Sequence, residues 1–262
     1  MTKKIALDAG HGLKTYGKQT PDGIKEWTLN DKVRDKVVNL LKDYDVEFIF
    51  PDNDEGNTDE SLAIRRAVYI KEKVDALVSI HHNAFTGSWN QATGVEVWTD
   101  KNPTSADKQL ANYIYNRLVS YTGLKGRGIK EQDWYIINQD RIPAVLIEGG
   151  FMDSTIDHKF ITSDAGQTAY AKAVAEGLIE FLGLEKKTAT SNDDILPFTV
   201  RVDINDLNIR KGPGTDYLKT GLKTGKGVFT IVETKKGMGS KSGWGKLKSG
   251  TGWISLDYVT RI

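Results

Sequence analysis

Three short segments of this chain end apolar runs with side chains that can bind or serve a metal: LDAGHG at 7–12, SIHHNA at 79–84 and LIEGG at 146–150. A β-strand that stops at His or Glu delivers that side chain to one edge of a sheet. Parallel strands deliver all of them to the same edge, where open α/β proteins place their active sites. Two imidazoles and one carboxylate leave a fourth position for water and make a catalytic zinc site. A second, non-ligating carboxylate can take the proton of that water and pass it to a leaving amine. That division of labour suits hydrolysis of an unactivated amide. The HExxH pattern is absent, so such a site has to be assembled from distant segments.

Each candidate also has a plainer explanation. His11 lies between Gly10 and Gly12, in a turn that could simply be solvent-exposed. His81 and His82 are adjacent, and strand side chains alternate between faces, so only one of them meets His11. Glu26 precedes an amphipathic helix, where a carboxylate either caps the helix or stays ionised as a ligand must. Glu148 directly follows the apolar run 144–147, a costly place for a charge unless it is paired or functional. Three of only four histidines sit at such strand ends.

The elements that position these residues alternate along the first 183 residues. Strands are expected at 5–7, 46–50, 76–80, 95–99, 134–137 and 144–147. Helices are expected near 27–41, 60–73, 105–121 and 168–182. The second of these carries Ile64, Ala67 and Val68 on one face, and Gly123 and Gly183 stand where helix C-caps belong. The pattern predicts an α/β domain, a mostly parallel twisted sheet with helices on both faces. EKKTATSNDD at 185–194 reads as a linker. Beyond it, short β-like runs alternate with Gly, Lys and Asp turns, which predicts a small all-β domain.

Composition narrows the class. The chain is 39% hydrophobic and 27% charged, as in globular proteins with a real core, and no apolar run is long enough for a membrane span. Cysteine is absent, which excludes disulfides, thiolate nucleophiles and thiolate zinc sites. The net charge of +1 conceals a split. Residues 1–196 hold 24 basic and 30 acidic side chains, for −6, whereas residues 197–262 hold 12 and 5, for +7. The tail is therefore suited to an anionic surface. The N-terminal residues show no apolar signal-peptide core, so the expectation is cytoplasmic storage until lysis, with action at the cell wall.

Residues 3–182 resemble the zinc-dependent N-acetylmuramoyl-L-alanine amidases of the Amidase_3 type. The motifs occur in order: IALDAGHG, Glu26 with its helix, SIHHNA, GVEVW and VLIEGGFMD. The resemblance implies that His11, Glu26 and His81 are the zinc ligands and Glu148 the general base and acid, with Asp8 and Asn83 in supporting roles. Ala9 stands where that family usually has Pro, and Gly149 where a larger residue is frequent. The tail resembles bacterial SH3 domains through LNIRKGPGTDY at 207–217 and WGKLKSGTGWISLDYV at 244–259. There Trp244, Trp253 and Tyr258 serve either as barrel core or as ligand contacts, with core favoured for Trp253.

The expected organisation is thus a catalytic domain at 1–184, a linker at 185–195 and an SH3-like wall-binding domain at 196–262. The implied substrate and anchoring surface is bacterial peptidoglycan, with no nucleic acid and no membrane insertion. The layout is similar to that of phage endolysins. A host autolysin, or a zinc carboxypeptidase acting on wall peptides, are the alternatives. Glycosidase chemistry needs two carboxylates at set distances, and the sequence marks no second partner for Glu148. Oligomeric state and the role of His82 stay open.

Overall fold

The computed structural model describes residues 2–53, 55–138, 141–187 and 196–262. The chain divides into two compact units, Met1–Lys187 and Thr188–Ile262.

The first unit is built on a six-stranded sheet. In chain order it contains β1 (Lys3–Ala9), α1 (Glu26–Leu41), β2 (Val46–Ile49), α2 (Leu62–Glu72), β3 (Ala76–Asn83) and β4 (Val95–Thr99). There follow α3 (Ser105–Thr122), β5 (Gly126–Glu131), β6 (Ala144–Phe151), the short α4 (His158–Ile161) and α5 (Asp164–Leu182). Strand order is β2-β1-β3-β6-β4-β5. The four strands from β2 to β6 are parallel, β4 is antiparallel to β6, and β5 is parallel to β4. The sheet is therefore mixed.

Alternation along the strands builds two cores. Ile5, Leu7, Val78, Ile80, Val145 and Ile147 face α1, α3 and α5. Ala6, Leu77, Ala144 and Leu146 face the other way, onto Tyr69 of α2 and Ile136 and Ile137. Gly123 and Gly183 close α3 and α5 in left-handed conformation, at φ of 65° and 59°. Here a residue without Cβ frees the last amide to bond back to the helix.

Two expected elements differ. Residues 134–137 form a hydrogen-bonded turn rather than a strand, with the Ile137 and Asn138 amides donating to the Trp134 carbonyl. The apolar residues there read as a strand by composition, but they serve to cap the second core instead. Helix α2 turns a different face inward. It buries Arg65 and Tyr69, while Ile64 is 50% exposed and Ala67 also faces solvent. Arg65 is buried because it is paired. Its guanidinium reaches the buried Asp8 at 2.7 Å and the carbonyls of Ala9 and His11 at 2.9 and 2.7 Å. Ser79 Oγ donates to the other Asp8 oxygen at 2.6 Å. Breaking a buried pair of this kind by removing one partner costs about 3–5 kcal/mol.

Residues 185–187, read as the start of the linker, pack on the first unit: the Lys187 amide donates to the Asp43 carbonyl and the Asp45 amide to Glu185. The remainder of that segment, 188–195, lies outside the described residues.

The second unit is a seven-stranded antiparallel sheet of β7 (Phe198–Val202), β8 (Asn208–Arg210), β9 (Lys219–Lys223), β10 (Gly227–Lys235), β11 (Trp244–Leu247), β12 (Trp253–Ser255) and β13 (Thr260–Arg261). Its core is Phe198, Val200, Val202, Leu207, Ile209, Ile231, Leu247 and Ile254. Trp244 and Trp253 are buried, whereas Tyr258 is 58% exposed.

Candidate metal centre

His11 lies two residues beyond β1. The Gly10 amide donates to the Ile80 carbonyl, which ties the turn to β3. His11 takes a left-handed backbone, φ 67°, which is uncommon for a residue with a side chain. Arg65 holds it there through the two carbonyl contacts already described. Gly10 is required sterically, since a Cβ at that position would fall 2.0 Å from the His81 ring.

Glu26 opens α1, but it does not cap it. Lys25 is the N-cap, without a side-chain cap bond. The Glu26 carboxylate instead turns to the strands. Oε1 lies 3.1 Å from His81 Nδ1 and accepts the His82 amide at 3.3 Å. Oε2 lies 3.4 Å from His11 Nε2 and has no hydrogen-bond partner although buried. The rings of His11 and His81 meet edge to face, centroids 4.9 Å apart. One donor atom from each of His11, Glu26 and His81 lies within 4.8 Å of the others.

Burial pushes the Glu26 carboxyl up, but the His81 hydrogen bond and the charges of both histidines outweigh it and carry it down to about 2. Burial pushes His11 down to about 4, against the pull of Glu26. These two groups therefore rest as an anion and a neutral imidazole, the forms that bind a cation. The unpartnered Glu26 oxygen and the His₂Glu donor set both fit zinc.

Strand alternation separates the two adjacent histidines. His81 shares its sheet face with Leu77 and Ser79, and His82 points to the opposite side. There His82 Nδ1 meets Asn30 Oδ1 at 2.8 Å, and its ring packs edge-on against Tyr170 at 5.5 Å. Asn30 also donates to the Gly10 carbonyl at 3.1 Å. His82 thus braces the turn behind the site. Asn30 was findable in principle, as it follows Glu26 by one helical turn and shares its face.

Glu148 is in register with His81 across β3 and β6, and with Glu96 across β6 and β4. The three side chains form a row on one sheet face. Glu148 Oε2 is buried without a hydrogen-bond partner. Burial, reinforced by the charges of Glu26 and Glu96 and opposed by His81, pushes this carboxyl up to about 8. A cation bound beside it would draw it back down. Glu96 is the second carboxylate that the sequence left unmarked. It accepts bonds from Asn83 at 2.9 Å, Trp98 at 3.2 Å, Arg127 at 2.8 Å and Lys130. With four donors upon it, Glu96 is a fixed anion rather than a proton carrier.

Beside His11 and His81 opens a cavity of about 280 Å³, bordered by Asp59, Leu62, Arg65 and Ile136. Gly149 has its own local reason: a Cβ there would come within 2.0 Å of the Tyr170 ring.

Residues 5–180 match the sequence model of the Amidase_3 family, N-acetylmuramoyl-L-alanine amidase. The chain belongs to this amidase family. It is 33% identical over 195 residues to an endolysin of Bacillus phage SPP1, covering 73% of this chain and 70% of that one. Among solved structures, an N-acetylmuramoyl-L-alanine amidase from Clostridium difficile 630 is similar with a TM-score of 0.65 and 28% identity, over 70% of this chain and 97% of that one. The catalytic domain of CwlV from Bacillus (Paenibacillus) polymyxa var. colistinus gives 0.64 and 29%, over 70% and 99%. The amidase is thus a peptidoglycan hydrolase with an α/β catalytic unit, and its His11–Glu26–His81 cluster and Glu148 lie inside the matched region.

Proposed function

We propose that this chain is a zinc-dependent amidase that cleaves the bond between the lactyl group of N-acetylmuramic acid and L-alanine, and that it serves as a phage endolysin. The observation that carries this reading is the gathering of three donor atoms from three distant segments beside an unpartnered carboxylate. Zinc held by His11, Glu26 and His81 would supply Lewis acidity to the scissile carbonyl and the attacking water. Glu148 accepts the proton released as the water oxygen bonds to the carbonyl carbon. It then delivers that proton to the alanine nitrogen as the C–N bond breaks. A lactyl carboxylate and a free alanine amine result. Glu26 stays anionic and His11 neutral throughout, and the Arg65 and Asn30 contacts hold the His11 turn in place.

Mass spectrometry of digested wall tests this. The expected products are intact stem peptides with a new N-terminal alanine, abolished by chelator and restored by zinc. Release of single C-terminal amino acids would instead establish the carboxypeptidase alternative.

The organisation that goes with this reading is a catalytic domain that extends to Lys187, a linker over the rest of the expected 185–195 segment and an SH3-like domain at 196–262 that anchors the enzyme to wall. The tail's formal charge of +7 supports attraction to anionic wall polymers. Full-length Glu148→Gln protein, unable to digest its target, should sediment with purified walls at low salt and be released as salt screens the charges. No sedimentation at low salt would remove the anchoring role. Among the described residues no helix is long and apolar enough to cross a membrane.

A further inference from the structure

The row of side chains that begins at the metal centre does not end at Glu148. On the same sheet face it continues through Glu96 on β4 to Arg127 and Lys130 on β5. These two cations are held unusually firmly for side chains about one-third exposed. Glu96 bonds both of them from one side. Aromatic rings lie beneath them, Phe151 under the Arg127 guanidinium and Trp98 under the Lys130 ammonium, each at 4.9 Å. Trp98 is itself packed on Trp134 at 4.6 Å. Arg127 uses only Nε to reach Glu96, and its two terminal amino groups take no hydrogen bond among the described residues. Two cations share one carboxylate, leaving a net positive charge with an open guanidinium edge.

The direction of the reaction decides what that edge faces. Because Glu148 protonates the departing nitrogen, the leaving peptide lies on the Glu148 side of the His11–Glu26–His81 cluster. The next strands on that side are β4 and then β5. Two steps between neighbouring strands span roughly 10 Å. Two extended residues span roughly 7 Å, and the arginine stem bridges the remainder. We infer that Arg127 and Lys130 form a subsite for a carboxylate carried by the leaving peptide about two residues beyond the scissile bond. A preorganised guanidinium edge is matched to a carboxylate and poorly matched to a carboxamide, which offers one acceptor and places a donor against the cation. This rests on the assignment of Glu148 as the group that protonates the leaving amine.

The test compares two muropeptides that differ only at the second residue, one with a free carboxylate and one with that group amidated. The wild-type enzyme should prefer the free carboxylate in kcat/KM by roughly 10–100-fold, the size of one charge-assisted bidentate contact. Arg127→Gln and Lys130→Gln should lower the rate on the carboxylate substrate more than on the amidated one, pulling the preference toward unity. Equal losses on both substrates would make the two cations mere counter-ions of Glu96 and overturn the subsite. So would a wild-type enzyme without preference, a result that needs no variant and no assumption about folding. Failure of the wild type to release stem peptide from either substrate would instead overturn the amidase reading itself.

Discussion

Glu148→Gln should lower amide hydrolysis on the order of 10³-fold, within the range that general acid–base catalysis supplies, and leave bound zinc at wild-type content. The substitution keeps the shape of the side chain and removes only its capacity to hold a proton. Glu148 stands in the row beside His81, outside the cluster of three donors, so metal retention is the discriminating readout. A variant that clears cell walls at the wild-type rate would overturn the assignment. Stability offers a second measurement. In metal-free protein the Glu148 carboxyl is raised in the fold, so the folded state binds more protons than the unfolded chain between the ordinary carboxylate range and about pH 8. Stability attributable to this group therefore falls as pH rises through that window. Metal-free Glu148→Gln protein should lack that loss, and chemical denaturation at pH 5 and pH 8 would show it.

Glu26→Gln has the opposite signature, with metal and activity lost together. Its carboxylate is the hub of the cluster, facing His81 through one oxygen and His11 through the other. A carboxamide carries no charge to offset a dication and presents a donor where one oxygen was. Replacing an outer partner of a zinc ligand already costs about 10–100-fold in affinity, so loss of a ligand itself should exceed 100-fold. Metal analysis after dialysis should find zinc in the wild type and little in the variant. Activity of chelated wild-type enzyme should return at zinc concentrations that leave the variant inactive. Full zinc occupancy in Glu26→Gln protein would remove this residue from the ligand set.

Much of the site was legible before folding because its donors end recognisable apolar runs. His11, Glu26, His81 and Glu148 were all named from motifs, and the structure brings the first three together with Glu148 alongside. What was not legible depended on partners distant in sequence. On α2 the apolar pattern marked the face of Ile64, Ala67 and Val68 and gave no signal at Arg65. That side chain is buried because Asp8 and two carbonyls of the β1 turn satisfy it, fifty or more residues away. Glu96 gave no signal in its own strand. Its position beside Glu148 follows from the antiparallel register of β4 on β6, which no local pattern specifies. The turn at 134–137 was mistaken for a strand because apolar content alone does not separate a strand from a loop that covers a core.

The sequence by itself determined which chemical groups are available: two imidazoles, two carboxylates and the glycine that lets them meet. Residue type and order along the chain suffice for that. Strand alternation left open which of two adjacent histidines meets His11, and the family motif named His81. The tertiary structure decided what the other one does, placing His82 on the opposite face against Asn30 and Tyr170. It also decided that Glu148 has a clamped anion as its neighbour and two anchored cations beyond. Those placements are set by strand register, a property of hydrogen bonds between segments that are far apart in the chain.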